Sequence, residues 1–431
     1  MRLLTATFTA LGPSGFLQDA NSSIAGKGRQ IANGTAAPSG GQDFALILAS
    51  VISKLPIILN DNERISVATS SVSTNIIGPA LKAKAFPRNI DASFLELLSQ
   101  TTKIAQGAKA WRKDVTDAFN DAKFFNITFE NAQKYLVPIL RQLTISDKER
   151  LPEILGRLAA PTTAGIMFGV GATSARMEAD RKTQLNLRRI ALLILSGDQD
   201  AFADKYRIIE EKLNELLSAT STSSPSSITR AEVFMVLRAL ILRSSPVYLS
   251  SFWPLINSEV QLAMLSALPD SADAEQYNNA SVLQACKVLD LLVTLDLDDF
   301  QLHEWLFITD TIDAVYRPTN VASTALADEI AEALGNTSSG LQTSADASDH
   351  QMGASTKRRS FLEPILDRLE DVEASEVKLL PKNELATRIL QPFLGQLSIW
   401  TFEATYGMLE ADVQSCEEAL LRDIFEDTID A

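Results

Sequence analysis

The sequence predicts an all-α protein, a helical-repeat-like (armadillo/HEAT-like) array of helical hairpins closed by a long C-terminal helix. Three observations carry the expectation. Leu, Ala, Ile and Glu dominate a chain that is 46% hydrophobic, and its apolar positions recur at helical spacing with little of the period-two alternation of strands. Gly and Pro gather in a few places, not at the short intervals a β-sandwich needs. The block Leu242–Pro318 is too apolar to face water on any side: from Ser281 to Leu295 the apolar set wraps nearly the whole helical circumference, with Lys287 and Asp290 its only charged residues. At 431 residues the chain has room for about two to four globular units.

In chain order, residues 1–11 read as a leading helix cut off mid-element, so Met1 is expected to begin a fragment. Residues 12–41, rich in Gly, Ser, Ala and Asn, read as a flexible loop, since they offer too little apolar surface to offset their ordering entropy. An N-terminal helical array is expected over 42–218. Pro56 should kink or end its first helix, and breaks fall at Gly78-Pro79 and Pro87. Ser93-x-x-Glu96 and Ser146-x-x-Glu149 have the spacing of capping boxes. Phe94, Leu97, Leu98, Ile104, Ala108, Trp111, Val115 and Phe119 mark an apolar face between them. The Ser/Thr-rich stretch 219–228 reads as a linker. The central buried core, 229–318, starts on a third capping signature, Thr229-x-x-Glu232. Residues 319–360 form a mostly flexible loop broken by a short helix at LADEIAEAL, and 361–431 carry the C-terminal helices.

A formal charge of −15 argues against binding nucleic acid, and confines any contact with an anionic bilayer to a local patch. Much of the imbalance lies in the tail, where nine carboxylates from Glu403 to Asp430 face Arg422 alone. Cys286 and Cys416 lack metal or redox spacing and suit a reducing compartment as small buried hydrophobes. No apolar run is long enough to cross a membrane.

The candidate sites are recognition surfaces. Arg181, Lys182, Arg188 and Arg189 fall on one side of a helix whose other side carries Leu187, Ile190, Ala191 and Ile194. Guanidinium groups grip phosphate bidentately, so this side suits a lipid phosphate; a solvated face is the other reading. Lys357-Arg358-Arg359, and Lys82, Lys84 and Arg88, are weaker candidates. Along the terminal helix Phe402, Tyr406, Leu409, Val413, Cys416, Leu420 and Ile424 step by four or three and draw one apolar seam through acidic surroundings. Such a seam suits packing within the chain, docking of another protein, or a homodimer, antiparallel because the acidic flanks repel a parallel copy.

Chemistry finds little support. His303-Glu304 begins the zinc-protease helix motif, but the second histidine is replaced by Phe307, and His350 lies in the flexible stretch. Asp310 and Asp313 stand near His303; Asp298 and Asp299 fit the start of the helix at Phe300 better than acid–base work. Gly165, Gly169 and Gly171 lack the strand and lysine of a phosphate loop. The expectation is no enzyme, no metal and no cofactor.

The wording of the central block, with SSPVYLSSFWPLINSEVQLA, VLQACKVLDLL and FQLHEWLFITDTIDAVYRP, resembles the C-terminal region of the Dopey family of large membrane-traffic proteins. That resemblance implies a cytoplasmic protein, peripheral on Golgi (trans-Golgi network) and endosome membranes, acting as a scaffold in endosome-to-Golgi transport. It further implies a large Sec7-related scaffold and a phospholipid flippase as partners, recognition of phosphatidylinositol 4-phosphate, and a zipper-like tail. A protein-docking and oligomerisation module without lipid contact is the alternative.

Overall fold

Helix α1, Gly40–Ile58, opens the part of the chain that the computed structural model describes: residues 40–158, 172–217, 229–268, 271, 274–308, 325–335, 357–369, 377–397 and 409–426. The expectations for 1–11 and 219–228, most of 12–41, and those on Gly165, Gly169, Gly171, Asp310, Asp313, His350, Phe402 and Tyr406 lie outside these residues. The described fold is all-α, with one two-residue strand pair. Two compact units divide it, one from the described residues up to Arg150 together with those from Ile424 on, the other from Leu151 to Asp423.

In the first unit α1 buries Ala45, Leu48, Ala49, Ile52 and Leu55, the three- and four-residue steps of one helical face, against α3. Pro56 falls in its last turn, where the helix ends two residues later. Helix α2, Asn62–Val72, is capped by Asp61, whose side chain accepts from Glu63 N at 2.9 Å. Helix α3, Ala92–Thr102, is capped by Asp91, not by the predicted box. The Asp91 carboxylate accepts from Phe94 N at 2.8 Å and from Ser93 Oγ at 2.7 Å, while Glu96 accepts from Gln100. Gly107 then permits a close approach, since a Cβ there would stand 2.6 Å from Thr69. Helix α4, Ala108–Asn120, buries Trp111, Val115 and Phe119 at four-residue steps. Phe119 and Phe124 meet edge to face at 5.2 Å, and Phe124 and Phe125 pack on Phe425. Helix α5, Val137–Ser146, ends on the serine read as the start of the next helix. Ser146 Oγ donates to Leu143 O, and α6, Arg150–Gly156, begins later.

The second unit is layered around a helix with no wet side. Helix α7, Ala172–Ser196, is buried without interruption from Thr183, and α8, Tyr206–Leu217, buries Tyr206, Ile209, Leu213 and Leu216. Helix α9, Arg230–Arg243, is buried from Arg230 to Ile241 and lies between α7 and α11. Thr229 makes no side-chain cap of this helix, and Glu232 is buried. Helix α10, Trp253–Leu265, packs on α11, Asn279–Leu295, whose cap Asn278 accepts from Ser281 N at 2.9 Å. Asp296 ends α11 in the left-handed region at φ 52°. The predicted short helix forms as α12, Leu326–Gly335. Strand β1, Lys357–Arg358, pairs in parallel with β2, Glu410–Ala411, and α13, Val413–Glu426, follows. Helix α7 thus packs on the central helix α9 within the second unit.

Candidate functional site

The site-bearing feature of the second unit is a set of charged side chains that α9 carries inside. Its sequence RAEVFMVLRALIL has apolar residues on every side, so its charges have nowhere to go but inward. Each then needs a counter-charge, because an unpaired ion in the interior costs several kcal/mol. Arg188 of α7 meets Glu232 at 3.1 Å, their side chains 4% and 3% exposed. Arg230 meets Glu259 of α10 at 3.0 Å and lies 4.7 Å over the Tyr277 ring, whose hydroxyl donates to the same carboxylate at 2.7 Å. Arg238 bridges Gln284 of α11, at 2.9 Å, and Asp423 of α13; Lys287 closes on Asp423 at 2.5 Å. Arg243 donates to Leu195 O at 2.9 Å and to Glu417.

A second layer fastens the segment 357–361, hereafter the strap. Ser360 Oγ donates to the Asp290 carboxylate at 2.5 Å, and Phe361 N donates to its other oxygen at 3.0 Å. Arg358 reaches Asp296 at 3.3 Å and Arg359 reaches Asp412 at 2.9 Å. Burial pushes the Asp290 carboxyl up to about 6, against the opposing pull of Ser360, the backbone amides and Arg238. Burial acts on Asp423 in the same sense, but Lys287 and Arg238 outweigh it and hold that carboxyl below the ordinary range. Burial also raises both thiols, Cys416 to about 12, so neither is a thiolate nucleophile at neutral pH.

The raised Asp290 gives a signed pH expectation. The folded state binds more protons than the unfolded chain between its ordinary value and about 6, so this group's contribution falls as pH rises through that window. Ionised at neutral pH, it costs at most ~3 kcal/mol. Asp290→Asn retains an oxygen for Phe361 N and should therefore withstand more urea than the parent at pH 7, with the gain fading below about pH 4. A parent that is the more stable protein at both pH values would refute this.

These positions correct the basic face. Arg188 and Arg189 are 3% and 5% exposed, with Arg188 on Glu232 and Arg189 donating to Asn186. Arg181 is half-buried and Lys182 is exposed beside Glu178 at 3.5 Å. The four cations share no solvent face. The seam is corrected in the same way: strand β2 interrupts the helical path at Glu410–Ala411, Asp412 accepts from Ser415 N, and α13 starts only at Val413. Cys416, Leu420 and Ile424 are buried in the fold at 8%, 0% and 0% exposure. Leu409 is half-buried and Val413 exposed. Lys82 pairs with Asp114 at 2.6 Å in a hollow also lined by Asp117, Asp121, Lys84 and Lys123, where acids match the cations. His303 packs on the Trp253 ring at 5.4 Å, and Asp298 and Asp299 lie in the first turn of the short helix Asp298–Gln301.

A family model described as DOP1 C-terminal matches residues 1–407. The chain is 46% identical to Protein dop1 of Emericella nidulans over 99% of its own length and 22% of that protein's. It is 24% identical to Protein DOP1 of Saccharomyces cerevisiae over 88% of its length and 21% of the relative's. Protein pad-1 of Caenorhabditis elegans is 24% identical over 58% of the chain and 10% of that protein. The chain thus spans about a fifth of the length of the first two relatives. No solved structure matches.

Proposed function

The chain belongs to the DOP1 C-terminal family, and we propose that it serves as a non-enzymatic scaffold in endosome-to-Golgi vesicle-mediated protein transport. The observation that carries this reading is where the polar groups stand. The cations and carboxylates of α9, α10, α11 and α13 that could have formed a reactive cleft are matched to one another inside the second unit. Large apolar residues remain outside, Leu302 at 72% and Trp305 at 59% exposure, of the kind that anchors partner proteins.

The resemblance to Dopey proteins supports peripheral attachment to Golgi and endosome membranes, a large Sec7-related scaffold and a phospholipid flippase as partners, and contact with phosphatidylinositol 4-phosphate. Of the cations first considered for that lipid, Arg181 and Lys182 keep access to solvent. A docking module without lipid contact is the second reading, favoured by the exposed Leu302 and Trp305.

Flotation on vesicles separates the two. The lipid reading expects recovery with vesicles containing phosphatidylinositol 4-phosphate, above that with neutral vesicles, and a fall when Arg181→Glu and Lys182→Glu are combined. Recovery indifferent to the phosphoinositide leaves the docking module. The transport role is tested in cells whose full-length protein lacks this region: normal retrieval of a cargo cycling between endosomes and the trans-Golgi network would remove it.

A further inference from the structure

Ser360 closes the basic run Lys357-Arg358-Arg359 and precedes Phe361. Its hydroxyl donates to the buried Asp290 carboxylate at 2.5 Å and accepts from Glu363 N at 3.2 Å. We propose that Ser360 is a phosphorylation site for a basophilic serine kinase, and that its phosphate holds the strap off α11.

The residue pattern fits the chemistry of such kinases. They bind their substrate extended, with acidic pockets for cations two and three residues before the serine and an apolar groove for the residue after it. Arg358, Lys357 and Phe361 supply those three groups. In the closed strap Arg358 is buried against Asp296 and Phe361 is 2% exposed, stacked on Phe393 at 4.9 Å. Modification therefore requires the strap to open locally, and its ties are suited to that. The strand ladder is two residues long. The Arg359–Asp412 pair has a guanidinium that is 64% exposed, the kind of contact that water weakens. The Asp290 carboxylate, raised by burial, regains hydration when the strap leaves.

The kinase moves the γ-phosphoryl group of ATP. The bond from Ser360 Oγ to phosphorus forms, the bond from phosphorus to the β–γ bridging oxygen breaks, ADP departs and the hydroxyl proton passes to the kinase's base. The product cannot return. Where the neutral hydroxyl donated a hydrogen bond, there stands a bulkier group of about −1.5 to −2 charge, directly against a carboxylate. Arg358 and Arg359 are then released from Asp296 and Asp412 to neutralise it, and the link between β1 and β2 is lost with them.

The test incubates the folded chain with the catalytic subunit of cAMP-dependent protein kinase and Mg-ATP, and a peptide carrying Lys357 to Phe361 in parallel. Mass spectrometry should find phosphate on Ser360, none in Ser360→Ala, and a slower initial rate in Asp290→Asn, whose strap opens less readily. In the phosphorylated protein, amide exchange over 357–366 and 410–416 should quicken by about tenfold or more, with α7 and α9 unchanged. A peptide modified while Ser360 of the folded chain stays untouched overturns the proposal. So does a phosphorylated Ser360 with the strap still protected.

Discussion

Arg238→Met should lower the stability of the second unit by about 3–5 kcal/mol, and adding Asp423→Leu should return most of it. Arg238 is 4% exposed and serves both Gln284 and Asp423. Methionine fills much of its volume but leaves Asp423 dependent on Lys287 alone, in a site where a carboxylate without sufficient counter-charge is costly. Removing both partners removes that liability, and Lys287, whose side chain is 22% exposed, can turn its ammonium to water. The double-mutant cycle, read by urea unfolding at pH 7, should therefore show strong coupling. By contrast Arg207→Ala, which breaks an exposed pair with Glu211 at 89% and 62% exposure, should change stability by less than about 0.5 kcal/mol. The acid limb adds an independent reading. Asp423 titrates below the ordinary range in the parent, so its contribution is present above the unfolded value and is lost as pH falls beneath it. In Arg238→Met the folded value rises toward the unfolded one, and that limb should flatten. A single variant costing less than about 1 kcal/mol would show that the network is ornamental to the fold.

A solvent-facing side for Arg188 and Arg189 fails in the fold for reasons of range. A helical wheel sees neighbours within a few turns, and within that range Arg188 and Arg189 do lie opposite Leu187 and Ile194. Their fate depends on groups the wheel cannot see: Glu232 lies 44 residues from Arg188, and Asp423 lies 185 from Arg238. One local clue existed. RAEVFMVLRALIL has no polar side, so its two arginines and glutamate had to be matched indoors, and the same reasoning applied to Asp290 on α11. What periodicity does capture is burial itself. The all-round apolar pattern from Ser281 to Leu295 became α11 with Cys286 at 0% exposure, and the steps Trp111, Val115 and Phe119 became the inner face of α4. Capping was legible only as chemistry, not as register: Asp91, two residues ahead of Ser93, starts the helix and accepts from Phe94 N, where the box would have had Ser93 accept from Glu96 N, and a charged acceptor binds a free amide more strongly.

Leu420→Asp should unfold the second unit outright, a loss of more than about 4 kcal/mol, where Val413→Asp changes stability by less than about 0.5 kcal/mol. Both residues belong to the same apolar seam in sequence, and a docking surface for a partner helix would make them equivalent. The fold makes them opposites. Leu420 is 0% exposed, one residue before Leu421 at 3% and one turn before Asp423, which Arg238 and Lys287 hold. An aspartate there loses the burial of a leucine and brings a second carboxylate beside one already matched, so neither ionising nor protonating it is cheap. Val413 begins α13 at 42% exposure, at the end of the helix where a negative charge is favoured by the free amides. Circular dichroism with urea, together with light scattering over a concentration series, separates the readings. Interior packing is supported by lost helicity in Leu420→Asp and an unchanged Val413→Asp. A folded Leu420→Asp that differs from the parent only in its mass in solution would restore the seam as an interface, and would mean that α13 leaves its place in the fold to meet a second chain.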